Sequence, residues 1–182
     1  MNVLPVTPER WPDLVELFEQ RGPRGGHRNT PAYGCWCMWW RDRALAHGEP
    51  KKRALARIVR SGREPGLLAY DRGRPVGWVA VAPREEFAVL VRSPQYRPRD
   101  ADSGVWAITC FVVDKPEQGR GVAAVLLDAA VRHAFAHGAA SVEAYPHVAR
   151  GDDYMGGLEL YERAGFAKTR DANKRAIVRL ER

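Results

Sequence analysis

Two kinds of hydrophobic pattern alternate along the chain. Short apolar runs rich in β-branched residues predict strands, and longer stretches with apolar residues every three or four positions predict amphipathic helices. Strands are predicted at residues 1–6, 67–70, 76–81, 105–113, 141–145, 166–169 and 176–180. Helices are predicted at residues 8–20, 35–48, 50–61, 120–137 and 156–164.

The order of these elements indicates the fold class. Several strands follow one another as hairpins, as at Asp71–Arg74, and only the strands at 105–113 and 141–145 are joined by a clear helical crossover. This order predicts an α+β layer around one central sheet rather than a doubly wound sheet. A length of 182 residues fits one domain, and the sequence contains no repeat and no linker.

Residues 105–127 carry the clearest sign of chemistry. An apolar run ends at Asp114, a short turn follows, and Gly119 and Gly121 flank Arg120 where the next helix should begin. This arrangement directs several backbone N–H groups and the positive end of a helix dipole at one point, which favours binding of a phosphate. The spacing matches neither of the common nucleotide-binding loops, G-x-x-x-x-G-K-[ST] and G-x-G-x-x-G.

The hexad Gln118–Ala123 resembles the Q/R-x-x-G-x-G/A signature of the GNAT superfamily of N-acetyltransferases. Leu160–Phe166 is similar to the L-Y-x-x-x-G-F segment near the C-terminal end of those domains, and residues 73–81 look like their third strand. The resemblance implies one GNAT-like domain over residues 1–182, in which a central, mixed and mostly antiparallel β-sheet is flanked by helices on both faces. In that fold, residues 20–64 are expected to form a helical insertion that walls the acceptor site.

The resemblance also implies a co-substrate, acetyl-CoA, and its contacts. The pantetheine would pair with the backbone of Phe111, Val112 and Val113. Tyr161 matches the family tyrosine that protonates the departing CoA thiolate, and a phenol is a suitable neutral acid for that step. The pyrophosphate would lie on the backbone amides of Gln118, Gly119, Arg120, Gly121, Val122 and Ala123.

The identity of the base that takes the proton of the acceptor amine stays open. The family often places a glutamate on the strand before the pyrophosphate loop, whereas this strand carries Ala107, Thr109 and Cys110. Glu143 on the next strand is the first candidate. An ordered water that relays the proton to a distant group is an equal alternative. Further candidates are Glu85, His147 and Asp153.

The segment 34–41 is rich in tryptophan. On the predicted helix at 35–48, Trp36, Trp39 and Trp40 share one face. Because this region walls the acceptor site in GNAT-like folds, the rings would suit an apolar, aromatic or cationic acceptor. The alternative is that they close the core beneath a long insertion.

The three cysteines do not make a disulfide framework, and a reducing cytoplasm is the simplest setting. The C-x-C of Cys35 and Cys37, with His27 and His47 nearby, matches no standard zinc site, so no metal is expected. A covalent relay of the acetyl group through Cys37 or Cys110 is an alternative to buried, inert thiols.

The net charge and the length of the apolar runs limit the kinds of partner that this chain is expected to bind. The net charge is +7, and residues 51–63 carry six basic side chains and no acid, which suits either an anionic partner or a solvated helix face. No apolar run approaches the length of a membrane span, and the N-terminus lacks the pattern of a signal peptide. The late strand pair at 166–180 could pair with a second subunit to form a homodimer.

Three functions are compatible with these patterns. The first is transfer of an acetyl group from acetyl-CoA to the amine of a small molecule, by direct attack in a ternary complex. The second is a GNAT-fold enzyme that uses aminoacyl-tRNA as donor or acceptor, for which the basic residues at 51–63 would contact phosphates. The third is a non-catalytic acyl-CoA sensor, which the missing strand carboxylate allows.

Overall fold

Seven strands form one sheet within the residues that the computed structural model describes, which are 1–19, 32–97, 103–148 and 154–182. The strands are β1 Asn2–Pro5, β2 Gly66–Asp71, β3 Arg74–Pro83, β4 Val105–Val113, β5 Ser141–Ala144, β6 Ala167–Ala172 and β7 Arg175–Glu181. The α-helices in the same ranges are α1 Trp11–Glu19, α2 Ala32–Cys35, α3 Glu49–Arg60, α4 Ala88–Arg92, α5 Val122–Ala136 and α6 Leu158–Arg163.

The sheet is mixed and mostly antiparallel, with the strand order β1-β2-β3-β4-β5-β7-β6. Only β4 and β5 run parallel, and α5 makes the crossover between them. The hairpin turn between β2 and β3 has positive φ at Arg72 (49°) and Gly73 (79°), as tight turns between twisted strands require. The α+β class, the crossover and this turn are therefore confirmed.

Helices cover both faces of the sheet. On one face, α5 packs Val122, Leu126 and Ala130 into a core with β2, β3 and β4. On the other face, α1 and α3 enclose a second core around Trp78 of β3. Among the described residues, no helix is both long enough and apolar enough to cross a membrane.

The predicted helix at 35–48 is wrong. Helix α2 ends at Cys35, because Trp36 and Cys37 adopt φ values of 47° and 48°, which lie in the left-handed region that a right-handed helix excludes. Turns and bends follow as far as α3. The tryptophans at 36, 39 and 40 therefore do not share a helix face, and residues 21–26, predicted to end α1, lie outside the described ranges.

The predicted outward position of one basic residue on α3 is also wrong. Lys51 is only 1% exposed, whereas Arg53, Arg57 and Arg60 lie in solvent as expected. Lys52 reaches back to α1, with its Nζ 2.6 Å from Glu19 Oε1. The basic surface of this helix is therefore smaller than the sequence suggests.

Candidate active site

Strands β4 and β5 part in the middle of the sheet. They pair only over residues 105–108 and 141–144, after which β4 continues to Val113 with β3 on its other edge. A register shift against β3 leaves Thr109 as a bulged residue. Bulges reverse the alternation of side chains, so Cys110 and Val112 face the α1 and α3 side, while Phe111 faces α5.

The loop after β4 presents backbone N–H groups at the start of α5. Gly119 and Gly121 have φ of 75° and 81°, and an added Cβ at either position would meet no atom within 4 Å. Within the described residues, the backbone amides of Gly119, Gly121, Val122 and Ala123 donate no hydrogen bond. These amides and the helix dipole form an open anion-binding site. The amide of Gln118 instead donates to the Lys115 carbonyl.

An arginine that the sequence did not single out holds this loop in place. Arg74 of β3 contacts Asp114 and Glu117, each with an N–O distance of 3.0 Å. Arg120 lies 2.8 Å from the second oxygen of Glu117 and is 64% exposed. Arg72 and Arg74 both belong to the β2–β3 hairpin of an arginine-rich chain and nothing local distinguishes Arg74, so only the fold reveals this contact.

Two consecutive backbone carbonyls enter the gap between β4 and β5. The Phe111 amide donates to the Tyr154 carbonyl, and the Tyr161 hydroxyl donates to the Met155 carbonyl at 2.6 Å. Tyr161 is fully buried, and its ring lies between Phe111 and Phe166. The free edge of β4 and the phenol of α6 are thus joined through one short segment.

A cavity of about 140 Å³ lies next to this segment, on the α1 and α3 side of β4. Trp39 and Trp40 form an edge-to-face pair in its wall, with ring centroids 4.6 Å apart. Arg175 is the basic residue of the lining, and its guanidinium lies 5.5 Å from the Trp40 ring. The complete lining is Cys35, Cys37, Trp39, Trp40, Thr109, Cys110, Val112, Tyr154, Met155 and Arg175.

All three thiols of the chain meet at this cavity, although Cys110 is far in sequence from Cys35 and Cys37. Cys37 Sγ lies 2.8 Å from Cys110 Sγ, so the turn after α2 touches β4 directly. Burial, then the neighbouring Cys37, raises the pKa of Cys35, which favours the neutral thiol over the nucleophilic thiolate. Thr109 Oγ1 is buried and has no hydrogen-bond partner among the described residues.

The third tryptophan of the segment lies elsewhere. Trp36 is 1% exposed and packs against Trp11 and Phe18 in the core beneath α1. The structure therefore brings Trp39 and Trp40 to the cavity and leaves Trp36 in the core. Positive φ at Trp36 separates the three rings in this way.

Glu143 lies at the centre of a buried polar network. One carboxylate oxygen accepts from Arg179 at 2.7 Å, and the other accepts from Arg84 at 3.2 Å and from Tyr145 at 2.7 Å. Burial, followed by the charge and hydrogen bond of Glu143, raises the pKa of Tyr145 well above its usual value. These contacts engage both oxygens of the carboxylate within the protein.

A family model described as the acetyltransferase (GNAT) family matches residues 11–166. The chain belongs to this family. GNAT members are acyltransferases that use acetyl-CoA as the acetyl donor, so the enzyme class and the co-substrate predicted from the sequence are confirmed. No curated protein matches the sequence.

Solved GNAT structures share the fold at low sequence identity. The GNAT domain of S. lividans PAT is 19% identical, with a TM-score of 0.61, and the match covers 99% of this chain and 89% of that one. Ribosomal-protein-alanine N-acetyltransferase from Brucella melitensis is 16% identical, with a TM-score of 0.58 and coverage of 100% and 99%. PaiA N-acetyltransferase from Thermoplasma acidophilum, in complex with coenzyme A, is 11% identical, with a TM-score of 0.54 and coverage of 100% and 98%.

Two of the remaining candidate bases of this GNAT domain, Glu85 and His147, lie within the described residues. Glu85 is exposed at the start of the turn before α4. His147 is partly buried and forms a β-bridge with Arg175, which brings its backbone close to the cavity wall. Asp153 and His27 lie outside the described residues.

Replacing Gly121 with alanine is expected to lower the free energy of unfolding by about 1–2 kcal/mol, because an alanine strains at a φ of 81°. Urea unfolding without ligand measures this cost. Gly121→Asn is the matched control, since asparagine adopts the left-handed region more readily. Equal stability of the alanine variant and the unsubstituted protein would contradict this expectation.

Proposed function

We propose that this protein transfers the acetyl group of acetyl-CoA to the amine of a small molecule bound in the cavity beside β4, by direct attack in a ternary complex. The observation that carries the proposal is the position of the cavity. Its wall includes the bulge of β4 at Thr109 and Cys110, and Met155, whose carbonyl accepts the Tyr161 hydrogen bond. An acceptor there would lie beside the strand edge expected to hold the thioester.

The residues present fit the co-substrate. The open amides of Gly119, Gly121, Val122 and Ala123 would hold the pyrophosphate, and Arg120 would add charge from its exposed position. The edge of β4 from Phe111 to Val113 that faces away from β3 would pair with the pantetheine amides, and the Val113 carbonyl on this edge now accepts from the Gln118 side chain. Because the Phe111 amide donates to the Tyr154 carbonyl, binding would exchange that carbonyl for a pantetheine oxygen.

Tyr161 is the proposed general acid. Its hydroxyl donates a hydrogen bond to the Met155 carbonyl, and the contacts of its ring with Phe111 and Phe166 orient the phenol. When the amine nitrogen bonds to the acetyl carbon and the carbon–sulfur bond breaks, the sulfur would take the hydroxyl proton. The acceptor would bind next to the same segment, which places both substrates within reach of one hydroxyl.

Glu143 is less suited to the role of general base than the sequence suggested. Two guanidiniums and a phenol already donate four hydrogen bonds to its two oxygens, so an acceptor amine would have to displace one of these donors. We infer that Glu143 supports the sheet next to the site, and that water in the cavity takes the amine proton. Thr109 Oγ1, buried without a partner among the described residues, is a suitable contact for that water.

The cavity wall narrows the class of acceptor. The Trp39 and Trp40 rings in the wall favour a flat or aliphatic body. Arg175 adds a positive charge that would pair with a carboxylate and repel a second amine. The proposed acceptor is therefore an apolar amine that also carries a carboxylate, rather than a polyamine.

The tRNA alternative has weaker support in the structure. Lys51 is buried, Lys52 pairs with Glu19, and Arg63 lies 3.8 Å from Glu86, so much of the basic run is already engaged. A protein N-terminus is a further acceptor class, because a solved relative in fold is a ribosomal-protein-alanine N-acetyltransferase. The acceptor assay described in the Discussion tests both aminoacyl-tRNA and peptides.

Arg175→Gln is expected to lower kcat/KM for a carboxylate-bearing amine by about 10–100-fold, since a hydrogen bond to a charged group contributes about 1.5–3 kcal/mol. The matching methyl ester should lose little, because it offers no charge to Arg175. Release of CoA, followed with a thiol reagent, measures both substrates. Arg175→Lys is the control that retains charge, and equal losses for acid and ester would count against this role.

A further inference from the structure

Three side chains from two distant segments meet at the C-terminal end of α5. His133 lies in the last turn of the helix and His137 follows one turn later, so both point to the same side. Glu64 reaches them from the loop between α3 and β2. One possible ligand atom from each residue lies within 4.8 Å of the other two.

The distances between these atoms are long for hydrogen bonds and short for unrelated groups. Glu64 Oε2 lies 3.5 Å from His133 Nε2 and 4.0 Å from His137 Nε2. His133 Nε2 is buried and has no hydrogen-bond partner among the described residues. The buried ring nitrogen of His133 thus faces a carboxylate oxygen without a hydrogen bond between them.

The second histidine is oriented as a ligand would be. His137 Nδ1 lies 2.8 Å from the His133 carbonyl, and an N–H at Nδ1 that donates there leaves a lone pair on Nε2, toward Glu64. Trp106 packs against both imidazoles, with ring centroids 5.7 and 5.8 Å away, and restricts their rotation. A backbone hydrogen bond from the second ring nitrogen is the usual support of a metal-bound histidine.

We propose that Glu64, His133 and His137 bind one divalent transition-metal ion of the zinc type, with water completing a four-coordinate shell. Two imidazoles and a carboxylate suit zinc and its neighbours rather than magnesium or calcium, which prefer oxygen ligands. Bonds of about 2.0–2.2 Å in a tetrahedral site place ligand atoms about 3.4 Å apart. The 3.5 Å between Glu64 and His133 already matches this spacing, and the 4.0 Å between Glu64 and His137 requires the two side chains to move closer. The negative end of the α5 dipole adds attraction for a cation.

The site is separate from the acetyl-transfer site. Helix α5 has 15 residues and is therefore about 22 Å long, with the pyrophosphate loop at its opposite end. The ion would join the α3–β2 loop to the end of α5. The sequence predicted no metal because its cysteines and nearby histidines match no standard zinc site. Residues 64, 133 and 137 become neighbours only in the fold.

Isothermal titration of the untagged, chelator-treated protein with zinc tests the proposal. We expect one equivalent to bind, and His137→Gln and Glu64→Gln each to weaken binding by at least the ~10–100-fold that loss of an outer contact to a metal ligand costs. His47→Gln is the matched control and should bind like the unsubstituted protein. Zinc should also raise the Tm of the unsubstituted protein and of His47→Gln, but not of the two site variants.

The cavity thiols are the competing zinc site, and two results would identify them. Zinc binding that survives His137→Gln but is lost in the Cys37→Ser, Cys110→Ser double variant would overturn the proposal. A cobalt(II) complex with a thiolate charge-transfer band would do the same, whereas tetrahedral bands without one support nitrogen and oxygen ligands. Because His137 is half exposed, its glutamine variant should fold, and its Tm without zinc verifies this.

Discussion

Replacing Glu143 with glutamine is expected to lower the free energy of unfolding by about 3–5 kcal/mol, the usual cost of removing one partner from a buried ion pair. The carboxylate faces both Arg84 and Arg179, and Arg84 is only 4% exposed. Glutamine retains the shape of the side chain but not its charge, so buried positive charge would be left in excess. Urea unfolding followed by circular dichroism measures the change.

Glu181→Gln is the matched control for this prediction. Glu181 also contacts Arg179, at 3.7 Å, but its side chain is 69% exposed, so its loss should change the free energy of unfolding by less than about 1 kcal/mol. If Glu143→Gln were as mild as Glu181→Gln, the network would not stabilise the sheet. A variant that is stable but loses turnover would return Glu143 to the list of candidate bases.

Tyr161→Phe is expected to lower kcat by about 10²–10⁴-fold while leaving the affinity for acetyl-CoA unchanged, because the variant lacks only the proton donor. The ring remains between Phe111 and Phe166, so packing should persist. Loss of the hydrogen bond to the Met155 carbonyl should cost about 1 kcal/mol of stability. Steady-state kinetics and calorimetric titration of acetyl-CoA separate these quantities.

Tyr70→Phe serves as the control for loss of a tyrosine hydrogen bond. Tyr70 lies on β2, outside the lining of the cavity, and its hydroxyl donates to Asp13 at 2.6 Å. Its replacement should therefore leave kcat unaffected. Unchanged kcat in Tyr161→Phe would contradict the role of general acid. If neither the unsubstituted protein nor the variant turned over, yet both bound acetyl-CoA tightly, the protein would be a sensor.

Local sequence patterns were sufficient for much of the fold. Strand β4 spans the predicted residues 105–113. Its β-branched residues favour a strand, and a turn follows at its end. The positive φ values at Gly119 and Gly121 agree with a loop that needs glycine. These features depend on neighbours in sequence, and their physical causes are therefore visible in the pattern.

Features that depend on distant contacts could not be predicted in this way. The periodicity at 35–48 fits a helix, but Trp36 is drawn into the core beneath α1, which forces positive φ at two residues. Three such features join segments far apart in the chain. They are the ion pair of Arg74 with Asp114, the contact of Cys37 with Cys110, and the cluster of Glu64 with two histidines. Tertiary packing outweighs local propensity at such positions.

An acceptor assay tests the proposed function most directly. CoA release would be followed with acetyl-CoA and a panel of apolar amino acids, their methyl esters, polyamines, alanine-terminated peptides and aminoacyl-tRNA, with Tyr161→Phe as the blank. We expect release with the carboxylate-bearing amines, and an acetylated product by mass spectrometry. Release with the peptides or the aminoacyl-tRNA alone would contradict the proposed acceptor.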